Sequence, residues 1–578
     1  MLTAVRAISL VLMTLALAQT TSAQSPQDAR ITVAHPGFNL LKSDLKITID
    51  LTSPGEQKQW ENIQGYIDTF IIGIDETREV QVQVMTGIDP EGYLICVPLQ
   101  AGGDPSKAFK ENLDSLGYRL ERSPTDRKMY TIESDANEYG WMKIDVELRY
   151  AFFMITTKKT LLPQLKEIVL NAALTPTTLK ENMIAELKNT DVQAAAITHR
   201  VNVFKPIRDV NMALIKQRPD EKATAFQLRQ SSARQLYDEA EDIMSQADQL
   251  LVTLTLDRTN PAAPKVNLRT TATAIPGTAM EAAIAQYGTQ SDAFAGLKRL
   301  TGSALSLRAS HPVDEARKIR MKETLTLTRA DIEARLKANT TRTDAEKTAF
   351  NKFVAGVISV LESSVTSGHL NGFVESVPDG KDRFTTVAAF VSPTAGELNQ
   401  ILPLLTDAGK GNAVQLNVDK VGDVDIHKIQ IAEGSISLFD RYFGIQSELC
   451  IGIGPQTVWM AAGQDGLATL KSTITAVGEP AVNPVVFRID INMLPWAKRI
   501  DEVTKKEKTE VRTAEEEKLS RERARVRERA IAALVKDDDV SLTITTEGST
   551  WVGEFTSNTG LLHFVGKMMS AFSKENFE

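Results

Sequence analysis

Six histidines are the residues of this chain best suited to acid, base or metal chemistry: His35, His199, His311, His369, His427 and His563. Three of them recur in one setting, at the end of an apolar strand that breaks into helix: Val33-Ala34-His35-Pro36, Ile197-Thr198-His199-Arg200 and Ala309-Ser310-His311-Pro312. A fourth copy, Ile489-Asp490-Ile491-Asn492, carries asparagine in the histidine's place. A metal site would need these rings to converge, yet no two histidines stand at the i,i+4 spacing of zinc hydrolases and no His-Glu-x-x-His occurs. Asparagine is a good helix N-cap and a poorer metal ligand. The recurrence is therefore read as a strand-to-helix junction whose ring bonds nearby backbone, with Pro36 and Pro312 suited to a first helical turn.

Other chemistry is equally thinly signalled. No Gly-x-Ser-x-Gly elbow is present. Gly452-Ile453-Gly454 lacks the third glycine of a dinucleotide fingerprint, and Ala408-Gly409-Lys410-Gly411 lacks the spacing and the Ser or Thr of a phosphate loop. Asp537-Asp538-Asp539 has neither the alternating ligands nor the glycine of a calcium loop and reads as a turn. Cys96 and Cys450, the two cysteines, lie in apolar strand-like runs and read as buried thiols. Aromatic residues make up only 6% of the chain, and Trp60, Trp141, Trp459, Trp496 and Trp551 read as core anchors. The sequence thus nominates no catalytic, cofactor-binding or metal-binding residue and no cofactor.

The elements around the histidines repeat in order. After each of the last three markers comes a charged helical stretch, then two strands and a shorter helix; the first copy is the most divergent, with a short helix near Gln57 to Thr69 in place of the long one. Copies one and three carry extra strands, Arg127 to Glu133, Met142 to Arg149 and Tyr150 to Thr157 in the first, Gln415 to Ile431 and Cys450 to Ala462 in the third. His35 and His311 are 276 residues apart and His199 and Asn492 are 293 apart, by subtraction of their numbers. Two tandem halves follow, each with a larger and a smaller unit. The expected division is a signal peptide at 1–23, α+β units at 24–190, 191–302, 303–480 and 481–578, and a charged helical arm at 497–536. The fold class is α+β, tandem repeated units of mostly antiparallel sheet with helices on one face and long charged helical arms.

The chain is 578 residues long with 42% hydrophobic and 24% charged residues, enough to bury several cores. Its formal charge of -8 argues against nucleic acid as partner. Arg6, an apolar run of about 12 residues and Thr21-Ser22-Ala23 read as an export signal cleaved near Ala23, too short to stay as an anchor. Periplasmic or secreted location follows, with no integral membrane segment in the mature chain. The charged arms, above all the one carrying Arg521 to Arg529, read as solvated helices that link two strands; the competing reading makes them a contact surface for a protein or envelope partner. The function expected is exported, non-enzymatic binding or scaffolding. The alternatives are an extracytoplasmic hydrolase with a site between units, and a carrier of lipid or apolar ligand served by runs such as Phe152-Phe153-Met154-Ile155.

Overall fold

The computed structural model describes residues 30–51, 59–85, 92–102, 106–177, 183–190, 208–218, 221–260, 263–379, 383–409, 413–430, 448–506, 525, 528, 531–532, 534 and 538–567. Helix and antiparallel sheet are both extensive, as expected of an α+β chain. The chain divides into two compact units, one of residues 1–211, 240–275 and 558–578, the other of residues 212–239 and 276–557. Among the described residues no helix is long and apolar enough to cross a membrane.

The first unit holds strands β1 (Arg30–His35), β2 (Val80–Met85), β3 (Tyr93–Pro98), β4 (Tyr118–Arg122), β5 (Met129–Ser134), β6 (Tyr139–Asp145), β7 (Tyr150–Thr156), β8 (Met183–Thr190), β9 (Ala247–Asp257) and β10 (Lys265–Ala274). They hydrogen-bond in the order β10-β9-β8-β1-β2-β3-β7-β6-β5-β4, every neighbour antiparallel. Its helices are α1 (Phe38–Asp50), α2 (Gln59–Phe70), α3 (Lys107–Ser115) and α4 (Leu162–Leu170).

β7 is buried at every position. Successive side chains of a strand point to opposite faces, so this run needs cover on both. Ala151, Phe153 and Ile155 meet Phe109 and Leu113 of α3, while Phe152 and Met154 meet Leu165, Ile168 and Val169 of α4. The expectation of helices on one face is thereby corrected. A strand apolar at consecutive positions, unlike an alternating one, demands two covering layers. The strand expected over Met142 to Arg149 also stops early, at Asp145. Its carboxylate accepts the Leu148 N–H at 2.9 Å and Arg149 takes a φ of 51°, closing a turn.

The second unit holds β11 (Leu305–Pro312), β12 (His369–Pro378), β13 (Phe384–Val391), β14 (Ala413–Val421), β15 (Val424–Gln430), β16 (Glu448–Ile453), β17 (Thr457–Ala462), β18 (Phe487–Asn492), β19 (Asp539–Glu547) and β20 (Thr550–Ser557). They bond antiparallel in the order β20-β19-β18-β11-β12-β13-β17-β16-β15-β14. The additions expected over Gln415 to Ile431 and Cys450 to Ala462 are each a hairpin: Gly422 turns at a φ of 58° and Val421 faces Val424, and Ile453 faces Val458.

The longer helices that follow in the chain are α5 (Ala223–Gln246), α6 (Glu315–Ala338), α7 (Asp344–Thr366), α8 (Gly466–Ala476) and α9 (Met493–Lys506). Val360 of α7 joins a core with Leu398, Leu402, Ile429 and Ile451, and Leu470 of α8 joins one with Phe373, Val387, Ile426 and Trp459. The charged helical stretches expected after the second and third markers, 220–249 and 314–337, fall largely in α5 and α6. These helices run side by side in opposite directions: Thr224 donates to Asp331 at 2.7 Å and Gln235 to Thr324 at 2.7 Å, while Arg317 and Arg320 both bridge to Glu239. Of the arm expected at 497–536, the part to Lys506 lies in α9 and most of the rest lies outside the described residues.

Phe153, only 1% exposed, is the ring on which the α3 side of the first sheet closes. Truncation to Phe153→Ala removes it from a well-filled core at a cost of about 3 to 5 kcal/mol. Urea denaturation followed by circular dichroism should show an early transition at correspondingly lower denaturant, with the remaining amplitude unmoved.

Candidate functional site

His35 closes β1. Its Nδ1 accepts the backbone N–H of Gly37 at 3.0 Å just before α1, and Nε2 is buried with no hydrogen-bond partner. Burial pushes its pKa down to about 4, so the ring is neutral at pH 7 and Nδ1 is free to accept. His311 stands near the end of β11, tilted against the Tyr287 ring at 5.0 Å between centroids. Burial and, next, Arg317 lower its pKa. Arg317 donates to the Tyr287 hydroxyl at 3.3 Å and to Asp314 at 2.7 Å and pairs with Glu239, which fixes the tyrosine.

Within the second unit the two recurrent markers, His311 and Asn492, do not come together. His199 lies outside the described residues. Asn492 ends β18, which pairs antiparallel with β11: Leu305 faces Ile491 and Ala309 faces Phe487. Asn492, whose N–H donates to the Ala304 carbonyl, and His311 therefore sit at opposite ends of the pair, about seven residues or ~23 Å apart at the rise of a strand. His369 is on β12 opposite Pro312, while His311 faces Leu370, so the two rings project to different faces. His427 of β15 is 1% exposed, and His563 lies in the helical segment 559–567. Among the described residues no group of three His, Cys, Asp or Glu is placed to hold a metal.

The remaining sequence candidates take structural places. Cys96 is a buried thiol in β3, beside Phe152 and Met154, and Cys450 one in β16, beside Trp459. Gly452 packs so closely on Trp459 that a Cβ would stand 3.1 Å from its Cβ. Asp539 pairs with Arg299 at 3.2 Å, and Asp537, Lys410 and Gly411 lie outside the described residues. Of Arg521 to Arg529, only Arg525 and Glu528 are described. Trp496 stacks on Phe384 at 4.5 Å and donates to the Ala304 carbonyl.

A second set of polar residues comes together where the histidine pattern gave no hint. Ser306, Arg308 and Ser310 occupy alternate positions of β11 and so share a face; Ser306 faces Glu375 and Asp490, and Ser310 faces Asn371. Glu375 is fully buried. Its Oε1 accepts from Ser306 Oγ at 2.7 Å and from Arg308 Nη2 at 2.7 Å, and its Oε2 from Ser303 Oγ at 2.6 Å. The guanidinium of Arg308 also lies over the Phe373 ring, 4.8 Å from its centroid. Arg488 binds Asp490 through two nitrogens, at 2.8 and 3.2 Å. Beyond Arg308, Ser310 Oγ and His369 Nε2 are 3.0 Å apart. Burial lowers the His369 pKa and Asp292 partly offsets this. Arg308 Nη1 and Asn371 Oδ1 are buried without a hydrogen-bond partner.

The signal was in the sequence. A strand with Leu305, Leu307 and Ala309 on one face and Ser306, Arg308 and Ser310 on the other would be an ordinary solvated strand, except that its polar face meets Asn371, Glu375 and Asp490 of the flanking strands. Only pairing reveals that. Chemically, the carboxylate of Glu375 is saturated by donors and serves to clamp β11 to β12. The Ser310–His369 contact is the one arrangement here with the atoms of a nucleophile and its base.

Comparisons with protein-family models, with curated proteins and with solved structures found no match for this chain.

Two measurements probe these contacts. Glu375→Ala leaves Arg308 buried without its counter-ion and should destabilise the second unit by about 3 to 5 kcal/mol in urea denaturation. His35 binds a proton less readily folded than unfolded, so the stability it contributes is present above its unfolded pKa of about 6.5 and drains away as pH falls toward 4. Urea midpoints measured from pH 7 to pH 4 should fall more steeply for the natural chain than for His35→Gln.

Proposed function

We propose that this chain is an exported, non-enzymatic binding or scaffold protein built from one internally duplicated α+β unit. The observation that carries the reading is the order of the two sheets. Strands β1 to β10 and β11 to β20, taken in chain order, bond to one another in the same sequence, so that each βn has a partner scheme matching that of β(n+10). His35 at the end of β1 and His311 near the end of β11 fall in matching places. On this reading β8 matches β18, so Thr190, the last residue of β8, is the counterpart of Asn492.

Duplication multiplies surface, and surface serves recognition. The polar clusters support this use. Glu375, Arg317 and His35 are engaged in holding strands and helix junctions. The apolar run Phe152 to Ile155, which would suit a lipid carrier if open, is packed under α3 and α4. The overall negative charge and the mixed-charge helices favour a protein or envelope partner over nucleic acid. Export rests on the leader at 1–23. Intact-mass measurement of the chain recovered from the extracytoplasmic fraction of an expressing host is expected to give a mature start at Gln24. Retention of residues 1–23 would remove the basis for export.

One observation favours the hydrolase alternative, the Ser310–His369 contact. A fluorophosphonate probe decides between them. Under the binding reading the native chain stays unlabelled; labelling that disappears in Ser310→Ala would replace it with a serine hydrolase.

A further inference from the structure

Among the described residues β14 pairs only with β15, which makes it an edge of the second sheet. Its pairing is interrupted at the middle. Gln415 faces Lys428 and Asp419 faces Ile426, so Leu416, Asn417 and Val418 all stand opposite the single residue His427. The three form an arch. Asn417 takes a φ of 53°, and its N–H donates to His427 Nδ1 at 3.1 Å, a ring nitrogen standing in for the carbonyl a regular ladder would supply. The arch puts two aliphatic side chains into solvent, Leu416 at 45% and Val418 at 39% exposure. The charges beside them are already matched within the unit, Asp419 by Lys471 at 2.5 Å and Lys420 by Asp425 at 2.9 Å.

Open edges are templates for another strand, and a bulge ordinarily blunts them. A regular foreign strand could bond along three residues at most before meeting the arch. A strand interrupted at the same place does not have that difficulty. We infer that this edge docks a second copy of the chain, the two β14 strands meeting antiparallel about a twofold axis at Asn417. The residue order suits that axis. It sets Leu416 against the copy's Val418, Gln415 against its Asp419, Val414 against its Lys420 and Ala413 against its Val421, with no like charges opposed. A parallel meeting in register would place Asp419 on Asp419 and Lys420 on Lys420, which is unfavourable. A single isologous edge buries little area, so the dimer is a weak, concentration-dependent one.

Sedimentation velocity of the full mature chain over a wide concentration range tests this. The natural chain should show reversible monomer–dimer exchange. Leu416→Lys alone and Val418→Asp alone should each weaken it by about tenfold or more. Mixing these two variants should restore association, because each new lysine then faces a new aspartate across the axis. Both positions are exposed, and unchanged thermal melts will show that the fold is kept. A natural chain that stays monomeric throughout, a dimer indifferent to both substitutions, or a mixture no more associated than its components would each overturn the inference.

Discussion

A strand that is apolar at consecutive positions has no face to give to water, and this constraint organises the first unit. β7 sets Phe152 and Phe153 back to back across the sheet, so the chain must supply a helix above and another below. The connections on either side do so. α3 lies between β3 and β4, and α4 follows β7 directly. The second unit meets the same demand around β17, where Val458 packs toward Ile429 and Ile451 while Trp459 packs toward Phe294 and Phe373. The closed cores thus sit on the half of each sheet that ends in β4 or β14.

Toward the other half the sheet changes character. The polar contacts of β11 with β12 and β18 are made by serines, an arginine and carboxylates, with the Phe373 ring lying under the Arg308 guanidinium. Burying Glu375 completely is tolerable because three donors reach it and one carries a positive charge. The result fixes register. A one-residue slip between β11 and β12 would bring leucine against the buried carboxylate, at a cost far larger than that of an apolar mismatch. In the first unit the corresponding work falls to amides: Gln81 and Gln83 are buried in β2 and donate to the carbonyls of Thr175 and Ala173.

The antiparallel habit and many strand positions were legible because they depend on local pattern, alternation and apolar runs. The recurrence of His35 and His311 was legible for the same reason. What the residues could not announce was which strands become neighbours. β8 inserts beside β1 across some 150 residues of chain, and nothing local to Met183–Thr190 marks it as the partner. The Glu375 cluster was hidden by the same non-locality, since its members come from positions 303, 306, 308 and 375. The arch at Leu416 to Val418 was missed differently. An αL asparagine held by a histidine ten residues away looks in sequence like uninterrupted strand.

The make-up of the first unit has a consequence for how the chain comes into being. Its residues come from both ends, 1–211 and 240–275 early and 558–578 last, with Thr559 bonding to the Pro264 carbonyl at 3.2 Å. The other unit is threaded between as an insertion. A ribosome delivering this chain from its amino terminus therefore releases most of one unit long before that unit can close. All ten strands of the opening unit are made by Ala274, before β11 opens the sheet of the inserted unit at Leu305, yet the opening unit must wait through the whole insertion, in need of protection from aggregation, for the helical segment 559–567 that also belongs to it.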